Sequence, residues 1–117
     1  MPRSNVTATI SRRVRPEELT SRARQYVSQV VRKTAFDIEA EAKVIVPKDT
    51  HNLENSIQTE VVSDFEATIG PRGVEYDMYV EFGTSRQSAQ PYMTPAAENA
   101  RPKFEQAMNN LVDVMGR

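Results

Sequence analysis

The longest pattern in the chain is a stripe of apolar residues at helical spacing. Between positions 19 and 45 they recur in steps of three and four, as expected for one buried face of an α-helix. They are Leu19, Ala23, Val27, Val30, Val31, Ala35, Ile38, Ala42 and Ile45. Pro16 followed by two acids is typical of a helix start, and helices usually end before a proline such as Pro47. The pattern predicts one helix from about Pro16 to Val46.

Shorter segments alternate apolar and polar residues, as half-buried strands do. The first, Val6–Ile10, precedes the long helix and is predicted to be an edge strand. Three more follow the helix, separated by turns at Ser63-Asp64 and at Gly70–Gly73. They are Ile57–Val62, Phe65–Ile69 and Val74–Phe82. Because such short turns join antiparallel neighbours, these segments predict an antiparallel meander.

The segment Val74–Phe82 shows the clearest alternation and is predicted to carry Phe82 on an apolar face and Glu81 on an acidic, solvent-facing one. Gly83 ends it, and a positive φ there would make replacement by valine harmful to folding. The residues that follow include no large apolar side chain. Residues 84–90 are therefore predicted to form a mobile arm that orders only against a partner.

A second helix is predicted near the C-terminus. Thr94 would cap it, and Pro95 suits its first turn. Its core face would consist of Ala97, Ala100, Phe104, Met108, Leu111 and Met115. Pro102 predicts a kink or a restart near Arg101. The order of elements is then β-α-β-β-β-α, which predicts an α+β fold with both helices packed on an antiparallel sheet of three to four strands.

The composition fits one domain that spans residues 1–117, with a flexible N-terminus at about residues 1–5. No apolar run approaches the roughly 20 residues that span a membrane, so no membrane is expected as a partner. The chain has no cysteine, which excludes disulfides and thiolate metal sites. We expect the protein to be made in a reducing cytoplasm.

Charge is unevenly distributed along the chain. Up to Lys33 there are eight basic and two acidic residues, and the remainder has seven basic and fourteen acidic ones. This asymmetry fits contact with nucleic acid, docking of a basic region on a neighbour's acidic region, or solvated faces that only add solubility. The arginines in question are Arg12, Arg13, Arg15, Arg22 and Arg24. No aromatic residues are interleaved with them, which disfavours a base-stacking module.

The sequence offers little catalytic chemistry. His51 is the single histidine, and Asp49 and Glu54 are near it, but one imidazole with scattered carboxylates is common in small domains. No glycine-rich phosphate loop is present. We therefore expect no catalytic residues, no metal ligands, no cofactor and no enzymatic activity.

Two blocks of the sequence resemble a known family. The first reads aromatic-x-Glu-Phe-Gly-Thr, and the second, after a variable gap, reads Gln-Pro-aromatic-hydrophobic-x-Pro-Ala. They are Tyr79, Glu81, Phe82, Gly83 and Thr84, then Gln90, Pro91, Tyr92, Met93, Pro95 and Ala96. With the Val46-Pro47 helix end and the segment Thr50–Ile57, the chain resembles the small neck or tail-completion proteins of long-tailed bacteriophages. His51 stands where that family usually has glycine, so a turn needing positive φ would be altered.

The resemblance implies a structural virion protein and not an enzyme. It implies a subunit of a homo-oligomeric ring, a hexamer or a dodecamer, in the neck or tail of the virion. The expected partners are other copies and the neighbouring head-closure, tail-terminator or tail-tube proteins, with nonspecific contact to DNA in the channel. The alternative is a small DNA-binding accessory protein that uses the basic N-terminal region.

The family's motif blocks also imply which residues form subunit contacts. Phe36 joins them as an aromatic on the outer side of the long helix, where an isolated exposed residue is the competing interpretation. For Phe82, Tyr92 and Met93 the competing interpretation is core packing. The full set is Phe36, Tyr79, Glu81, Phe82, Gly83, Thr84, Ser85, Arg86, Gln87, Gln90, Pro91, Tyr92, Met93 and Pro95.

Overall fold

The computed structural model describes residues 8–11, 19–47, 51–72, 81–83 and 89–111, and the α+β fold class is confirmed. Helices pack on one face of an antiparallel sheet. In chain order the elements are β1 Ala8–Ser11, α1 Ser21–Ile45, α2 His51–Ser56, β2 Ile57–Ser63, β3 Glu66–Pro71 and α3 Met93–Asn109.

The long helix α1 begins five residues later than the sequence pattern predicts. Thr20 is its N-cap, and the Thr20 hydroxyl oxygen accepts a hydrogen bond of 3.0 Å from the Ala23 backbone N–H. That bond satisfies one of the N–H groups that a helix start leaves without a partner. At the other end the Val46 N–H still reaches the Ala42 carbonyl oxygen at 2.9 Å, just before Pro47.

Replacing Thr20 by alanine should lower the free energy of unfolding by about 1 kcal/mol, because the cap acceptor is lost. Denaturant unfolding followed by circular dichroism measures the change. Ser21→Ala is the matched control, since Ser21 is exposed and lies one residue beyond the cap. Equal stability of Thr20→Ala and Ser21→Ala would contradict the assignment of Thr20 as the cap.

The stripe along α1 forms the centre of the core, as predicted. Six of its members are buried, and the other three pack partly buried against the core. Two hydrogen bonds show that α3 runs antiparallel to α1. Each joins the start of one helix to the later part of the other. The Tyr26 hydroxyl donates to the Ala107 carbonyl oxygen at 2.6 Å, and the Asn99 side-chain amide donates to the Glu41 carboxylate at 2.8 Å.

The sheet is built on the hairpin of β2 and β3, and the short β1 pairs antiparallel with the other edge of β3. The turn consists of Asp64 and Phe65, one residue later than predicted, and the Phe65 N–H donates to the Ser63 hydroxyl at 3.1 Å. Gly70 and Pro71 do not form the predicted turn. They extend β3 and pair with Gln58 and Ile57.

The predicted order β-α-β-β-β-α omits one element and misassigns the end of another. The omitted element is the short helix α2, which precedes β2; the turn-rich segment after Pro47 favours such a helical turn, and its buried Leu53 anchors it in the core. Glu81 and Phe82, predicted to end the last strand, are helical. The rest of that strand, the N-terminal residues 1–5 and residues 84–88 of the predicted arm lie outside the described residues.

Two further predictions about helices are corrected. Of the predicted kink or restart near Arg101, the restart does not occur, because α3 begins at Met93 and continues through Pro102. His51 begins α2, and among the described residues only Gly83 has a positive φ. The histidine at the family's glycine position therefore adopts helical backbone geometry without strain.

Candidate assembly site around Glu81

The carboxylate of Glu81 connects the two motif blocks that carry the resemblance. One of its oxygens, Oε1, accepts hydrogen bonds from the backbone N–H groups of Tyr92 at 3.1 Å and Met93 at 3.0 Å. The other, Oε2, accepts from the Thr94 N–H at 3.0 Å. Glu81 thus caps α3 from eleven to thirteen residues upstream in the sequence. This corrects the expectation that Thr94 caps the helix.

This arrangement explains how a carboxylate is accommodated in the interior. Glu81 is only 2% exposed, and an unpaired buried carboxylate would be strongly unfavourable. Here three N–H groups at the positive end of the helix dipole replace the lost water. The first turn of α3 has no acidic residue of its own and no side-chain cap from Tyr92. Glu81 supplies both the missing acceptor and the missing negative charge.

The side chains of Glu81 and Phe82 lie opposite to the prediction. Alternation along a strand places Glu81 towards solvent and Phe82 towards the core. In the structure Glu81 is buried and Phe82 is 64% exposed. The reason is that the chain is helical at these two residues, so their side chains no longer follow the two-residue period of a strand.

Gly83 follows directly with a φ of 78°. This value lies in the left-handed region, which glycine adopts without the Cβ clash that other residues suffer. The sequence predicts that Gly83→Val harms folding if φ at Gly83 is positive, and this condition is met.

The second block is anchored through its two large residues. Tyr92 and Met93 are fully buried and belong to the core. Their side chains therefore hold the segment in place and are not available to a partner at the surface. Gln90 and Pro91 are exposed immediately before them, and Pro95 is half-buried.

The remaining candidate residues are only partly brought together. Phe36 is 52% exposed on the outer side of α1. Arg22 is exposed, and Arg24 is half-buried with its guanidinium carbon 5.9 Å from the centre of the Phe65 ring. Eight candidates lie outside the described residues. They are Arg12, Arg13, Arg15, Tyr79, Thr84, Ser85, Arg86 and Gln87.

Two exposed apolar residues were missed in the sequence. Val44 is 74% exposed on α1, and Val62 is 53% exposed near the hairpin turn. Val44 is detectable in hindsight, because it lies eight residues beyond Phe36 and so on nearly the same side of the helix. Val62 fits an ordinary strand pattern, and the irregular register between Val61 and Ser63 shifts its pairing.

The described residues contain no group of three or more metal-ligating side chains. Among those same residues, no helix combines the length and the apolar character that crossing a membrane requires. No family model, curated protein or solved structure matches the chain.

Proposed function

We propose that this chain is a structural subunit of a long-tailed bacteriophage virion, a neck or tail-completion protein that forms a ring at the head–tail junction. The resemblance of its two motif blocks to that family motivates the proposal. The observation that supports it best is the Glu81 cap, because one carboxylate ties the first block to the backbone of the second. The two motif blocks would then describe one rigid unit.

The unit has the features expected of an assembly contact. Phe82 is exposed at one end of the connection, and Gln90 and Pro91 are exposed at the other. The polar residues between Gly83 and Ala89 join these two anchored points. We propose that they contact a neighbouring subunit, which would order them at the moment of assembly. The location in the virion and a ring of six or twelve copies belong to the same proposal.

Light scattering coupled to size-exclusion chromatography tests this function. The chain is measured alone and after mixing with a head-closure protein and a tail-tube protein of a long-tailed phage. A closed oligomer, or co-elution with one of those proteins, is the expected result. A monomer that binds neither but binds duplex DNA with a steep salt dependence would support the DNA-binding alternative instead.

Deleting Ser85–Ala89 should separate folding from assembly. Seven residues remain from Glu81 to Tyr92, and they are long enough to keep the Glu81 carboxylate within hydrogen-bond distance of the start of α3. We therefore expect the thermal unfolding midpoint to stay close to that of the unmodified chain. Incorporation into the ring or the partner complex should be lost. A control replaces the same five residues with serine and glycine, which keeps the length and removes the side chains. Unfolding of the deletion variant would contradict the contact role.

A further inference from the structure

The outer face of α1 combines positive charge with exposed apolar surface. Phe36, Ala40 and Val44 are spaced four residues apart on the side opposite the buried stripe, and all three are exposed. The exposed Arg22, Arg32 and Lys33 continue the same side towards the N-terminus of the helix, where Lys33 also pairs with the exposed Asp37 at 2.9 Å. We call these six residues the outer face. Its N-terminal half is basic and its C-terminal half is apolar.

The hairpin tip, defined as residues 60–66, has the opposite charge. It carries three acids and no basic residue. Asp64 is exposed in the turn, Glu66 is half-buried, and Glu60 is exposed beside Arg72, with 2.8 Å between the charged groups. Val62 adds an exposed apolar side chain between them. The tip therefore presents an exposed apolar residue together with the carboxylates of Asp64 and Glu66, while Arg72 pairs with Glu60.

These two surfaces are complementary, but they are far apart within one chain. Arg24 stacks on Phe65, which places the tip beside the start of α1. Val44 lies twenty residues further along that helix, or about 30 Å at the rise of an α-helix. The tip of a chain therefore does not lie near the apolar half of its own outer face. Contact between the two surfaces requires a second copy.

We propose that the hairpin tip of one copy docks on the outer face of α1 of the next copy. Val62 would pack near Val44 and Phe36, while Asp64 and Glu66 approach Arg32 and Lys33. Such a contact is heterologous, because two different patches meet, and it repeats from copy to copy until a ring closes. The inference rests on the proposed function, since it names the surfaces through which a ring subunit would contact its own copies.

Engineered cysteines test the pairing directly, because the chain has none of its own. One full-length chain carries Val44→Cys and a size tag, and a second carries Val62→Cys. On mild oxidation we expect the mixed disulfide dimer to be the main product. The product should be lost when Lys103→Cys, on the exposed side of α3, replaces Val44→Cys. Equal yields with the Lys103→Cys control, or no crosslink at all, would overturn the proposal.

Charge reversal provides a second and independent test. Asp64→Lys with Glu66→Lys in one chain, or Arg32→Glu with Lys33→Glu in the other, should reduce crosslinking by about tenfold, because exposed attractions of up to ~1 kcal/mol each become repulsions. Combining the two reversed chains should restore it. Damage to folding cannot produce such a rescue. Absence of both the loss and the rescue would overturn the assigned charge pairing.

The outcomes also separate this inference from the proposed function. If the chain joins a phage assembly but the Val44–Val62 crosslink does not form, the proposed function stands and the proposed docking surfaces are wrong. If the crosslink forms as expected but the chain binds no head or tail protein, the proposed docking surfaces stand and the proposed function is wrong.

Discussion

Replacing Glu81 by alanine is expected to lower the free energy of unfolding by about 3–5 kcal/mol, because three backbone N–H groups lose their acceptor. The N–H groups of Tyr92 and Met93 are buried, so water cannot replace the carboxylate there, whereas that of Thr94 is partly exposed. The negative charge at the start of α3 is lost as well. For a domain of this size the thermal midpoint should fall by about 10–20 °C.

Two variants control this measurement. Glu81→Gln keeps one oxygen for the two buried N–H groups but turns an amide donor towards the Thr94 N–H, so its stability should be intermediate. Glu98→Ala removes an exposed glutamate from the same helix, together with its surface ion pair to Arg101. The loss in that variant should stay within about 1 kcal/mol. Comparable stability of Glu81→Ala and Glu98→Ala would refute the role of Glu81 as the cap of α3.

The second large effect is expected at Gly83. Replacing it by valine should lower the free energy of unfolding by about 2–3 kcal/mol, because a β-branched residue at a φ of 78° places its Cβ against the backbone. Denaturant unfolding of the purified variant gives the value. The same strain displaces the turn that follows Glu81, so the variant should also assemble poorly.

A graded series at this position distinguishes backbone strain from lost space. Asparagine tolerates the left-handed region better than alanine, although its side chain is larger. If strain decides, Gly83→Asn should be more stable than Gly83→Ala, and Gly83→Val should be the least stable. A series that follows side-chain volume instead would show that close packing, and not φ, selects glycine here.

The two motif blocks bond largely to each other within one chain. The glutamate of the first block makes its hydrogen bonds inside its own chain, and so do the anchoring residues Tyr92 and Met93. Much of the motif therefore stabilises the fold of its own chain, next to the proposed contact. Among the described residues of the two blocks, Phe82, Gln90 and Pro91 are exposed.

Local rules were sufficient for part of this fold. The stripe from Ala23 to Ala42 and the hairpin of β2 and β3 were predicted within a residue or two, because periodicity and turn chemistry depend on neighbours in the sequence. The exposed position of Phe36 followed from the same periodicity. The start of α1 was misplaced since Pro16 and its acids were favoured over Thr20, whose hydroxyl makes the cap.

By itself, then, the sequence determined the α+β class, the buried face of α1, the hairpin and the two motif blocks. Only the tertiary structure decided which side of the chain Glu81 and Phe82 face, where α3 begins, and that the two blocks form one unit. The reason is physical. The partners of the Glu81 carboxylate lie eleven to thirteen residues away, and their attraction outweighs the local preference of a glutamate for water.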